Sequence, residues 1–181
     1  MMGDHRFERT DNEIKRTFIQ ELLSVSFEDM TITKLANACL IERTTFYSHY
    51  ESLYTLAAAV IDDQLKVIED FLVESLRQHN NPNFHQYQFM NEHFVEYFNA
   101  NRDIIQKVRL IPLGTNSFDA RCRRLFKAHY SRVISFSENS FTIYLMVNLA
   151  MSDVDYVLNN GHAPSLDELR KGLKQMNIML N

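Results

Sequence analysis

The stretch that decides the fold is Thr31–Tyr50, TITKLANACLIERTTFYSHY. Thr31 is placed to cap a helix, and Ile32, Leu35 and Ala36 follow at helical spacing. Ala36 is small enough to let a second helix cross close by. A break at Leu40–Ile41 comes next, and a second short helix runs from about Arg43 to Tyr50, with Phe46 and Tyr50 inward. Its outward face carries Arg43, Thr44, Tyr47 and Ser48. Hydrogen-bonding residues at the start of a second short helix suit a helix-turn-helix, whose second helix enters the DNA major groove.

The flanks are helical too. Only 4 Gly and 3 Pro punctuate 181 residues, which favours long helices over many short strands. Residues 1–9 read as a flexible arm. Thr10 or Asp11 caps a first helix to about Ser24, with Ile14, Phe18, Ile19, Leu22 and Leu23 as its apolar stripe. Phe27 and Met30 sit in a connector, where they plug the junction with the second helix. Ser52 opens a long helix to about His79, roughly 40 Å at ~1.5 Å per residue. Asn80, Asn81, Pro82 and Asn83 end it. Further helices are expected over 84–99, 101–110, 117–136 and 139–159, with Gly161 as the residue after the last of these. A final helix opens at Pro164–Ser165. The sum is an all-α chain of about nine helices: a helix-turn-helix DNA-binding domain over 1–51 and a helical effector-binding and dimerisation domain over 52–181.

Composition narrows the classes. The net charge is -4, and residues 1–60 hold six Lys and Arg against nine Asp and Glu, giving -3. Nucleic-acid-binding domains are often strongly basic, so this balance speaks against DNA. Cys39 and Cys122 lack metal-site spacing and read as reduced thiols. No apolar leader opens the chain, and no run approaches the ~18 apolar residues of a membrane span, so a soluble, cytoplasmic protein with no membrane partner is expected. There is no Gly-rich phosphate loop, HExxH or GxSxG, so no enzyme, cofactor or metal is expected. His93 and Glu96 lie three apart on one helix, but a di-metal bundle needs repeated Glu-x-x-His sets.

Residues 27–56, FEDMTITKLANACLIERTTFYSHYESLYTL, resemble the TetR family of bacterial transcription regulators, above all in Thr45-Phe46-Tyr47 followed by His49-Tyr50. The resemblance covers about residues 10–60 at motif level and the remainder in helix count and layout. It implies a homodimer on a two-fold double-stranded DNA operator, acting as a repressor and tuned by a small-molecule effector whose identity does not transfer. It also implies that Phe46 packs in the core while Tyr47 meets a phosphate. Two positions depart from the family. Leu40 stands where Gly is usual in the turn, implying a different turn geometry or strain. Leu53 stands where a phosphate-contacting Lys is often found.

The DNA-facing candidates are Thr31, Thr33, Lys34, Arg43, Thr44, Thr45, Tyr47, Ser48 and His49. Arg43 would read a guanine edge, or pair with Glu42 or Glu51 on the surface. Thr31 is both a cap and a neighbour of N–H groups that take a phosphate. His49 serves either a phosphate or helix packing. Candidates for a polar and aromatic ligand cavity are Tyr87, His93, Tyr97, Arg109, Tyr130 and Tyr144, against the alternative that they are plain core or surface. The last two helices are the dimerisation candidates, through Phe141, Tyr144, Leu145, Leu149, Val154, Tyr156, Val157, Leu169, Leu173 and Met176, since a helix apolar on most sides needs a second partner surface. A basic face, Arg121 to Arg132, meets solvent or an anion. The competing function is a TetR-like helical protein–protein adaptor with weak or lost DNA binding, suggested by the acidic balance, Leu40 and Leu53.

Overall fold

Thr31 does cap a helix: its Oγ1 accepts the Lys34 N–H at 3.2 Å, and α2 follows over Ile32–Ala38. The computed structural model describes residues 2–78, 92–134 and 137–179. Among them there are nine α-helices and no strand. Before α2 come α1 (Met2–Ser24) and a 3₁₀ turn at Phe27–Asp29; after it comes α3 (Arg43–His49). The remainder are α4 (Leu53–Gln78), α5 (Glu92–Ala100), α6 (Arg102–Arg109), α7 (Phe118–Ile134), α8 (Phe141–Asn160) and α9 (Leu166–Met179), with a second 3₁₀ turn at Gly114–Asn116.

The turn between α2 and α3 settles the question raised by Leu40. The Ile41 N–H reaches back to the Ala36 carbonyl at 3.0 Å, and the Leu40 N–H to Asn37 at 3.1 Å. That pair of bonds closes a helix in the Schellman arrangement, which needs a left-handed residue just past the helix end. Leu40 is that residue, with φ of 55°. A side chain there costs roughly 1–2 kcal/mol, and Leu40 recovers nothing by burial, being 93% exposed. The turn keeps the geometry a glycine would favour and carries the strain of a leucine. Gly161 supplies the ordinary solution at the end of α8, with φ of 80° and its N–H on the Val157 carbonyl at 2.8 Å.

Helix starts follow their sequence signals. Ser52 and Thr55 cap α4 reciprocally: the Thr55 N–H donates to Ser52 Oγ at 3.2 Å and the Ser52 N–H to Thr55 Oγ1 at 3.0 Å. Ser165 and Glu168 do the same for α9, at 3.2 and 2.8 Å. The flexible arm expected over residues 1–9 is a correction, because α1 already begins at Met2. Thr10 Oγ1 donates to the Arg6 carbonyl at 3.0 Å, and the Phe7 ring stacks on His49 with centroids 3.9 Å apart. An aromatic anchor, invisible to any local cap rule, extends the helix by two turns.

The chain groups into two compact units, residues 1–66 with 103–121 and residues 67–102 with 122–181. This division follows packing, whereas the 51/52 boundary read from the sequence separates expected roles. The core of the first unit holds Ile14, Phe18, Leu35, Phe46, Leu56 and Ile61, all without exposed surface. That of the second holds Phe94, Phe98, Phe126, Ile143 and Val154, equally enclosed. Cys39 and Cys122 are buried thiols. By length and composition α8 is long and apolar enough to cross a membrane, unlike the expectation that no run would come close. Its Ile143, Val147, Ala150, Met151, Val154, Val157 and Leu158 are nevertheless buried within this chain, the pattern of a core helix.

Replacing Leu40 by Gly removes the left-handed penalty and restores part of the unfolded chain's freedom. The net expectation is a gain of about 0.5–1 kcal/mol, seen as a higher urea midpoint at unchanged slope. A lower midpoint would show that the leucine is held by contacts absent from this structure.

Candidate nucleic-acid interface

Consecutive residues of α3 point about 100° apart, so burying one exposes its neighbour. Phe46 has no exposed surface and meets Tyr50 with ring centroids 6.1 Å apart. Tyr47 is therefore turned outward and is 47% exposed. One turn earlier, Arg43 Nη2 donates to Tyr47 Oη at 3.4 Å, with the guanidinium carbon 5.9 Å from the ring centroid. Neither Glu42 nor Glu51 pairs with Arg43, so the surface ion pair weighed for it does not form. Glu42 instead accepts from Thr44 Oγ1 at 3.2 Å.

Thr31, Thr33, Lys34, Arg43, Thr44, Tyr47 and Ser48 are exposed. Thr45 is half-buried, and its carbonyl accepts from Ser48 Oγ at 2.7 Å. The face is thus built of hydroxyls, one phenol and two cations. This chemistry can donate to phosphate oxygens and base edges.

His49 is a correction. Its side chain is only 3% exposed, enclosed by Phe7 on one side. Its Nδ1 is 3.6 Å from Asp11 Oδ1, too far for a hydrogen bond, and has no other partner among the described residues. It packs α1 against α3 and does not present a donor to a phosphate. Asp11 is also more than the cap candidate it resembled in sequence. Its Oδ1 accepts from Tyr50 Oη at 2.5 Å, and Lys15 Nζ lies 3.3 Å from its other oxygen and 2.9 Å from Asp63 on α4. Burial works against the Lys15 charge, but Asp63 and Asp11 together hold its pKa above the ordinary value.

The described ligand-cavity candidates have different surroundings. Tyr87 lies outside the described residues. His93 is exposed on α5, 3.5 Å from Glu96. Arg109 belongs to the first unit, where it makes a two-pronged bond to Asp119 at 2.7 and 2.9 Å. Tyr130 is core, 4% exposed. Tyr97 is half-buried against Phe71, and burial and then Cys122 push its phenol up to about 12. Tyr144 is exposed on α8.

The dimerisation candidates divide. Phe141, Tyr144, Leu145, Leu173 and Met176 are exposed, and Leu149, Tyr156 and Leu169 are half-buried. Val154 and Val157 are a correction: they have no exposed surface and pack within this chain, so no second copy can reach them. The apolar character of α8 serves its own core on one side and leaves a stripe on the other. On the basic face, Arg121 pairs with Asp62 and also donates to the Ala58 carbonyl at 3.4 Å.

Sequence reasoning passed over His129 of α7. Burial, and then the Arg132 charge, hold its imidazole down at about 4, from an ordinary 6.5. A depressed native pKa means that the unfolded chain takes up the proton first. The neutral ring's contribution to stability is therefore complete above about pH 6.5 and is lost as pH falls from there towards 4. In urea titrations, the wild type should lose more stability over that range than His129→Gln. Parallel losses in the two proteins would refute a buried neutral His129.

No protein-family model matches the chain, and no curated protein matches it.

Proposed function

We propose that the chain is a TetR-like bacterial transcription regulator, most simply a repressor. It would act as a homodimer on a two-fold double-stranded DNA operator through α2 and α3, under the control of a small-molecule effector. The observation that carries the reading is the exposed face formed by Thr31, Thr33, Lys34, Arg43, Thr44, Tyr47 and Ser48, which joins two cations and several hydroxyls on two short helices. Arg43 reads base edges, and Tyr47, Lys34 and the threonines position the backbone. Three of the nine carboxylates over residues 1–60 are engaged away from this face. Asp11 serves Tyr50 and Lys15, Glu13 pairs with Arg16, and Asp29 accepts from Ser26. The reading assigns the chain no catalytic chemistry. An effector acts on such a protein only by preferring one arrangement of the two DNA-binding faces.

The stripe of exposed Phe141 and Leu145 on α8, with Leu166, Leu173 and Met176 on α9, supports the dimer. None of the described α9 side chains is buried, so this helix gains little from its own chain. A second reading, a helical protein–protein adaptor, draws on the fully exposed Leu40 and on the presence of only two cations on the α2–α3 face.

Selection of bound sequences from a random DNA pool, followed by mobility-shift assays, separates the two. A regulator yields a two-fold site, and Arg43→Ala with Tyr47→Ala abolishes its binding while leaving helicity intact. No specific site at low salt, with the dimer intact, leaves only the adaptor. Few cations also mean few released counterions at about -0.9 in log K per log salt for each neutralised phosphate. The slope should be shallower than about -8, and a steeper one would contradict this set of contacts. For the dimer, Leu145→Glu with Leu173→Glu alters exposed positions only. Sedimentation should show the wild type as a dimer and this variant as a folded monomer; an unchanged dimer would move the interface elsewhere.

A further inference from the structure

Exposed Arg123 and Arg124 and half-buried Lys127 follow one another on α7. Beside them the first two turns of α8 contribute Ile143, Tyr144, Val147 and Asn148, and these seven residues line a groove of about 150 Å³. The groove lies wholly in the second unit. Three cations and no carboxylate line it, in a chain whose net charge is -4. Elsewhere the same chain neutralises its arginines directly, as in Arg109 with Asp119 and Arg121 with Asp62.

Arg123 and Lys127 have partners of a different kind. Arg123 Nη1 donates to Asn148 Oδ1 at 2.7 Å. Lys127 Nζ donates to Asn139 Oδ1 at 3.2 Å and stands 5.3 Å from the centroid of the Tyr144 ring. Amide oxygens and a ring face orient a cation without cancelling its charge. The positive end of the α8 dipole lies at the same place, since Ile143 and Tyr144 belong to its first turn. The rest of the lining is apolar: buried Ile143 and Val147, and the flank of Tyr144.

We propose that this groove binds a small organic carboxylate, with its charged end at Arg123 and Lys127 and its apolar body along the Tyr144 ring and the edge of Val147. A guanidinium matches a carboxylate with two parallel bonds, which an amide oxygen cannot supply. Inorganic phosphate would satisfy the cations and leave the Tyr144 ring in water. The volume is below the ~300–1,000 Å³ of drug-sized sites, so the ligand is of the size of a benzoate. The site needs no DNA, so its test and that of the regulator reading fail independently.

The test is titration of the full chain, carrying ¹³C-labelled methyl groups, with benzoate, 4-hydroxybenzoate and hexanoate. At least one should shift the Ile143 and Val147 methyl signals saturably below about 10 mM, a free energy of roughly 3 kcal/mol or better. Benzamide, the uncharged counterpart of benzoate, should not. Arg123→Met with Lys127→Met should weaken binding at least about tenfold with an unchanged circular-dichroism spectrum. Asn148→Asp, at an exposed position, places a fixed carboxylate beside Arg123 and should weaken it as well, which keeps the test decisive if the double variant does not fold. Four results would overturn the proposal: no saturation with any of the three acids, equal binding of benzamide, unchanged affinity in Asn148→Asp, or tighter binding of hexaglutamate than of any small acid.

Discussion

The carboxylate of Asp11 is the point on which the first unit turns. It receives the Tyr50 hydroxyl from the end of α3, and through Lys15 it is tied to Asp63 on α4. Three helices are therefore indexed to one side chain. A hydrogen bond to a charged group contributes ~1.5–3 kcal/mol, and removing one partner leaves a part-buried charge uncompensated, which costs more than the bond itself. Burial, then the bond and charge of Asp11, raise the Tyr50 pKa, so the phenol stays a donor. Fixing Tyr50 also fixes the rotation of α3, because Phe46 and Tyr50 share its inner face. The outward direction of Arg43 and Tyr47 follows.

The total charge of this unit does not describe its α2–α3 face. Carboxylates outnumber cations over residues 1–60, and two of those on α1 are engaged within the unit, Asp11 by Tyr50 and Lys15 and Glu13 by Arg16. What an approaching molecule meets on α2 and α3 is a different set of side chains, with Lys34 and Arg43 exposed among hydroxyls. Screening makes the local face decisive, since at physiological salt a charge is felt over only about 8 Å. The same separation of total from local charge appears on α7 and α8, where an acidic chain keeps Arg123 and Lys127 beside amides.

Much of the fold was legible because its signals are local. The apolar stripes of α1, α4 and α9, the caps at Thr31, Ser52 and Ser165, and the left-handed Gly161 are all set by residues a turn or two apart. The exposure of Arg43 and Tyr47 was legible for the same reason: once Phe46 is inward, helical geometry turns Tyr47 outward. His49 was not, because its burial depends on Phe7, 42 positions away in a segment that reads as an arm. Val154 and Val157 were not, because apolar residues on every side of α8 do not say which of them this chain covers itself. The differing surroundings of Tyr97, Tyr130 and Tyr144 have the same origin, since aromatic spacing marks a helix face and not the neighbour it meets.

The sequence by itself determined an all-helical chain, the positions of most helix starts and stops, and the two short helices around Leu40. Hydrogen-bonding caps, side-chain periodicity and φ preferences act within a few residues, so their outcome is written locally. Only the tertiary structure decided that Leu40 takes the strained left-handed turn rather than another geometry, and that Asp11 receives Tyr50. It also decided which apolar and charged side chains remain at the surface. Each of these depends on which distant groups arrive in the same place, and burial, the strength of a bond to a charge and the tolerance of strain are properties of that place.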